Sequence, residues 1–137
     1  MSISIRPIHP VFVGEVAGVD ITQPLAPAEV AAIEAGMDRY AVLVFRDQRI
    51  TDDQQMAFTR NFGAIENARG GNITKEHEHR LATGMIDVSN LGKDHRPLER
   101  EDRKRLFNLA NRLWHSDSSF RAIPAKYSIL SGRAVVA

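Results

Sequence analysis

Between residues 27 and 63 the sequence changes its hydrophobic period twice, and this alternation constrains the fold more than any other feature. Pro27 suits a first helical turn, and Val30, Ile33, Met37 and Tyr40 follow at helical spacing. The spacing predicts a helix over about residues 28–39 with one buried stripe. Ala41-Val42-Leu43-Val44-Phe45 is a compact run of strong β-formers and predicts a buried strand. Thr51 and Gln54 have the spacing of a capping box, and Asp52 and Asp53 suit the positive end of a second helix. Met56, Thr59 and Phe62 can face inward from that helix, which Gly63 stops. Upstream, residues 2–6 alternate as a strand does, and residues 12–20 hold a second strand region whose glycines mark turns or bulges.

Beyond residue 66 the pattern thins. Residues 67–80 are polar and glycine-rich and predict a loop; residues 81–88 regain strand-like character; residues 92–105 are polar again. Residues 106–113 then lead into His115-Ser116-Asp117. In an extended segment side chains alternate faces, so His115 and Asp117 point the same way, with Cα atoms roughly 6.5–7 Å apart. A neutral nitrogen and an anionic oxygen at that spacing can converge on one ion, and form two-thirds of the facial triad of non-haem Fe(II) oxygenases. The ordinary alternative is a surface histidine bonded to a nearby acid. Trp114, on the opposite face, is expected to anchor the strand in apolar packing. Ile123-Pro124-Ala125 breaks the chain before a further strand candidate, Tyr127-Ser128-Ile129-Leu130.

The block Phe107-Asn108-Leu109-Ala110-Asn111-Arg112-Leu113-Trp114-His115-Ser116-Asp117-Ser118-Ser119-Phe120, with Asp87-Val88-Ser89-Asn90-Leu91 before it and Pro124-Ala125-Lys126-Tyr127-Ser128 after it, resembles the taurine dioxygenase / 2,4-dichlorophenoxyacetate dioxygenase (TauD/TfdA) family of Fe(II)- and 2-oxoglutarate-dependent oxygenases. Gly70-Gly71-Asn72-Ile73-Thr74-Lys75 resembles its aryloxyacetate-degrading branch. The resemblance implies a mixed α/β, mainly β chain: the N-terminal part of a double-stranded β-helix (jelly roll) with flanking helices. It implies that His115 and Asp117 are iron ligands and that Asn111 borders the substrate pocket. The implied cofactors are Fe(II), 2-oxoglutarate as cosubstrate, and O2. The implied reaction is hydroxylation of a small organic acid, such as an aryloxyalkanoate, beside the ether oxygen. The hemiacetal so formed collapses to a phenol and an oxo acid, while 2-oxoglutarate leaves as succinate and CO2. An aryloxyalkanoate carboxylate needs a cation, for which Lys75, Lys93 and Arg112 are candidates. Ser119 shares the parity of Asp117 and is a further pocket candidate. Because His115 must bind as neutral imidazole, acid should release the metal.

The resembled family places its second iron histidine and its 2-oxoglutarate-binding arginine far downstream. Here 20 residues follow Asp117; none is histidine, and their arginines are Arg121 and Arg133. The expectation is therefore a single domain over residues 1–137 that is truncated, has no cofactor-binding residues of its own, and turns over little or no substrate alone. A jelly roll needs about eight strands, so the expectation includes exposed apolar edges and self-association into a homo-oligomer. The competing reading is a non-catalytic truncated paralogue or subunit that acts by association.

Charge is balanced at 18 Lys+Arg against 17 Asp+Glu, which argues against a nucleic-acid partner. The mixed-sign stretch 96–105 reads as a solvated face. Cysteine is absent, excluding disulfides and thiol catalysis. No signal-peptide core or membrane-spanning run is present, so a cytoplasmic protein is expected. Glu76-His77-Glu78-His79 is a second metal candidate, weakened by its highly polar surroundings. His9 and His95 lack a nearby acid at ligand spacing.

Overall fold

The computed structural model describes residues 2–66, 79–82 and 84–133. Lys75, most of the Glu76–His79 cluster and the four C-terminal residues lie outside the described residues. The chain divides into two units, Met1–Ile65 and Glu66–Ala137.

The first unit is a three-stranded sheet with two helices. β1 (Ser4–Pro7) pairs antiparallel with β2 (Gly14–Ala17), and β2 pairs parallel with β3 (Leu43–Phe45). A parallel pair needs a crossover, and α1 (Pro27–Tyr40) supplies it. Pro27 opens α1 as its sequence position predicts, and the Glu29 carboxylate accepts from the Ala26 N–H at 2.8 Å. Ile33 is the most buried member of the predicted stripe, with Val30, Met37 and Tyr40 half-buried. Gly14 permits close packing here: a Cβ on it would stand 2.8 Å from both Ile5 Cγ2 and Tyr40 Cδ2. The third strand begins two residues later than its β-formers suggest. The helix runs through Tyr40, and Ala41 takes a left-handed cap (φ 59°) whose N–H bonds Met37 O, so pairing resumes only at Leu43.

Glu15 is buried in the central strand and receives guanidinium groups from both sides, Arg46 and Arg6. The Arg46 hydrogen bond is the chief reason the Glu15 carboxyl lies below its ordinary range; burial opposes this, and the Arg6 charge reinforces it.

α2 (Asp52–Arg60) carries the predicted capping box: Thr51 Oγ1 accepts from Gln54 N at 3.2 Å, and Gln54 Oε1 accepts from Thr51 N at 2.9 Å. Removing the cap oxygen by Thr51→Ala is expected to cost about 1 kcal/mol, read as a lowered urea midpoint with unchanged slope. The inward face differs in detail from the predicted one. Phe58 and Gln55 are the buried residues, while Met56, Thr59 and Phe62 are half-buried. Phe58 stacks edge-on against Phe45 of β3 (5.6 Å between centroids) and against Phe62 (5.2 Å), joining helix to sheet. The helix ends at Arg60, three residues ahead of Gly63, which takes φ 132° in the turn beyond.

The second unit is held by polar contacts around one short helix, α3 (Arg103–Asn108). Asp102 caps it, accepting from Lys104 N at 2.8 Å. Residues 90–98 fold back on themselves through an isolated bridge between Leu91 and Pro97. Arg80 grips Asp87 through two nitrogens (2.7 and 3.1 Å), Lys104 approaches the same carboxylate at 3.6 Å, and Asn108 donates to Ser89 O at 2.9 Å. The mixed-charge stretch is thus only partly a solvated face, because Lys104 is 16% exposed and engaged.

Two expectations are corrected. Among the described residues helix exceeds strand, with strands of four, four and three residues, so this portion is not mainly β. Residues 81, 82, 84–88, 113–120 and 127–130 are not strands. Their β-branched and aromatic content favours a pleated surface, but a strand forms only where a neighbouring ladder receives its backbone groups. Trp114 is correspondingly fully exposed rather than packed. Among the described residues no helix is long and apolar enough to cross a membrane.

Candidate metal centre

Two short helices lead into the candidate ligand segment. α3 passes directly into a 3-10 helix, Leu109–Arg112, and the chain becomes extended at Leu113 (φ −88°, ψ 146°). His115 follows two residues later. Although this segment has no strand partner among the described residues, its side chains converge: His115 Nε2 and Asp117 Oδ1 stand 3.2 Å apart. The backbone then turns at residues 117–120.

The hydrogen bonds around the pair assign each atom a task. His115 Nδ1 lies 2.8 Å from Leu113 O, and an Nδ1–H donating to that carbonyl leaves Nε2 with a free lone pair. Asp117 Oδ2 accepts from Ser128 Oγ at 2.5 Å, leaving Oδ1 for the histidine side. A proton on Nε2 would make this an ordinary surface contact, and a cation shared by the two atoms would suit the same approach. Metal–ligand bonds of about 2.1 Å at right angles separate their donors by roughly 3.0 Å. Donor types and spacing therefore fit adjacent positions on one octahedral ion. Both side chains remain about half exposed, 48% for His115 and 57% for Asp117, so small molecules can reach them. Among the described residues no third His, Cys, Asp or Glu completes a cluster.

The turn after Asp117 is tied down separately. Ser118 is left-handed (φ 55°); its hydroxyl donates to Glu66 Oε2 at 2.7 Å, and Arg121 pairs with the same carboxylate. Strand parity therefore does not extend past Asp117: the Ser119 hydroxyl turns back onto Ser116 O at 3.3 Å instead of continuing the ligand face. Asn111 fares differently. It lines one shallow depression with Arg112, Leu113, Trp114 and His115, beside the imidazole. Lys93 lies exposed in the fold-back of residues 90–98. The sequence reading missed Ser128 and Glu66, because neither is near the ligands in sequence and neither residue type marks a site.

The model of the taurine catabolism dioxygenase TauD, TfdA family matches residues 4–136. The chain belongs to the TauD/TfdA family. Within it, the chain is 44% identical over 133 residues to an alpha-ketoglutarate-dependent 2,4-dichlorophenoxyacetate dioxygenase of Burkholderia sp. strain RASC, covering 96% of this chain and 44% of that protein. It is 41% identical over 137 residues to the enzyme of the same name from Cupriavidus pinatubonensis, covering 98% and 47%. A crystal structure of AAD-2 with Mn(II) and N-oxalylglycine superposes with a TM-score of 0.85 at 60% identity, over 92% of this chain and 44% of AAD-2. The chain thus spans less than half the length of these TauD/TfdA relatives, and its units are a portion of the TauD-like fold. TauD/TfdA enzymes are 2-oxoglutarate-dependent non-haem iron dioxygenases.

Proposed function

We propose that this chain contributes His115 Nε2 and Asp117 Oδ1 as two protein ligands of an Fe(II) centre, in a dioxygenase that hydroxylates an aryloxyalkanoate in the manner named for its 2,4-dichlorophenoxyacetate relatives. The observation that carries the reading is the convergence of those two lone-pair atoms at 3.2 Å, in a segment whose other polar contacts leave both of them available. Iron, when bound, supplies oxygen activation. The overall reaction consumes substrate, 2-oxoglutarate and O2, and yields hydroxylated substrate, succinate and CO2.

The chain's own residues have more limited tasks. Leu113 O holds the imidazole in the tautomer that presents Nε2. Asp117 supplies the negative charge that neutralises part of the ion's charge. Asn111, sharing the depression of His115, is the side chain best placed to meet the substrate. Lys75 and Lys93 remain the proposed cations for a substrate carboxylate, and Ser119 is a weaker pocket candidate now that its hydroxyl is turned toward Ser116 O.

The test is oxygen uptake and succinate release by a protein in which this chain is continued to the full length of its relatives. Aryloxyacetates, aryloxypropionates and sulfonates would be compared. Uptake stimulated at least tenfold by an aryloxyalkanoate is expected. Stimulation by sulfonates alone, or by none of the acids, refutes the substrate assignment.

A further inference from the structure

We infer that Ser128 is a positioning residue for this centre: its hydroxyl occupies Oδ2 of Asp117, so that the carboxylate can ligate through Oδ1 alone. The inference rests on the ligand reading above and deepens it. The Ser128 contact, at 2.5 Å, falls in the range of an O–H donating to a carboxylate anion. Oδ1 of the same group faces His115 Nε2. The two oxygens therefore have separate partners, one on the protein and one on the ion.

This division matters because of how many positions the chemistry requires. An octahedral ion has six sites, and a facial triad would leave three for the cosubstrate and oxygen. A carboxylate with both oxygens free can swing into two-point coordination and take one of those three. The turn that follows Asp117 is tied through the side chains of Ser118 and Arg121 to Glu66. Rotation of the carboxylate about its own bond is set by Ser128. Ser128 is itself exposed, so no core packing forces the contact and its loss leaves no cavity. Its role through Asp117 resembles that of the outer partners that orient metal-bound carboxylates elsewhere.

The experiment titrates Co(II) into a protein in which this chain is continued to the full length of its relatives, and into its Ser128→Ala, Ser128→Thr and His115→Ala variants, following affinity and the visible ligand-field spectrum, with far-UV circular dichroism as the folding control. Ser128→Ala is expected to bind Co(II) about 10–100-fold more weakly with an altered spectrum, and Ser128→Thr, which keeps the hydroxyl, to restore both. Loss of binding in His115→Ala together with unchanged affinity and spectrum in Ser128→Ala overturns the Ser128 assignment alone, as does a threonine variant no better than alanine. An unsubstituted protein that binds no Co(II), or a His115→Ala variant that binds as tightly, overturns the ligand reading and this inference with it.

Discussion

In a protein that continues this chain to the full length of its relatives, replacing His115 or Asp117 by alanine is expected to lower the affinity for a divalent ion by more than about a hundredfold, since the loss of a mere outer partner already costs about 10–100-fold. Mn(II) electron paramagnetic resonance, which separates free from bound ion, would measure it. Stability should hardly change. Both side chains are about half exposed, and exposed substitutions away from caps and cores stay within about 0.5 kcal/mol. Their mutual contact adds little when no ion is present, because pairs this open to water are well screened. His9→Ala is the matching control: its ring accepts long bonds from Val11 and Phe12 N–H groups in the first unit, and removing it should leave Mn(II) binding unchanged. A histidine variant that retains full affinity would show that the 3.2 Å approach of the pair is a surface contact and nothing more.

The opposite profile is expected for Asp87. Asp87→Ala strands two cations, Arg80 and Lys104, only 12% and 16% exposed, beside a site that was itself 14% exposed. Breaking a fully buried pair costs about 3–5 kcal/mol; with this residual exposure about 2–3 kcal/mol is expected, read from urea unfolding. Acid should expose the same cluster. Burial alone would raise the Asp87 carboxyl, but hydrogen bonds from Arg80 and Ser89 and the charges of Arg80 and Lys104 outweigh it and hold the group below its ordinary value of 3.8. The unfolded chain therefore takes up a proton at Asp87 before the folded chain does. The cluster's contribution is complete above pH 3.8 and is lost as pH falls through the lower folded value. Asp87→Asn should flatten this part of the acid limb; an unchanged limb would show that other carboxylates govern it.

The first unit was largely legible in the sequence because its elements are specified locally. The stripe from Val30 to Tyr40 and the Thr51–Gln54 box each lie within a single helix or its cap, and both appear where the spacing puts them. Phe58 was missed because aromatic contact with Phe45, and not helical period alone, decides which face turns inward. In the second unit the approach of His115 to Asp117 was readable, since the two lie only two residues apart. The strands expected on either side were not, because pairing is a property of neighbours and not of a segment. Arg80, Asp87, Lys104 and Ser128 were illegible as partners for the same reason: ordinary surface residue types acquire their roles only when segments far apart in the chain meet.

The helical run of α3 and the 3-10 helix is gripped at its start, where Lys104 meets Asp87, and again at Asn108, where it meets Ser89 O. Whatever loosens residues 87–89 therefore releases both holds on α3. In this molecule drift at a few unremarkable positions near Asp87 would register first as a less stable second unit.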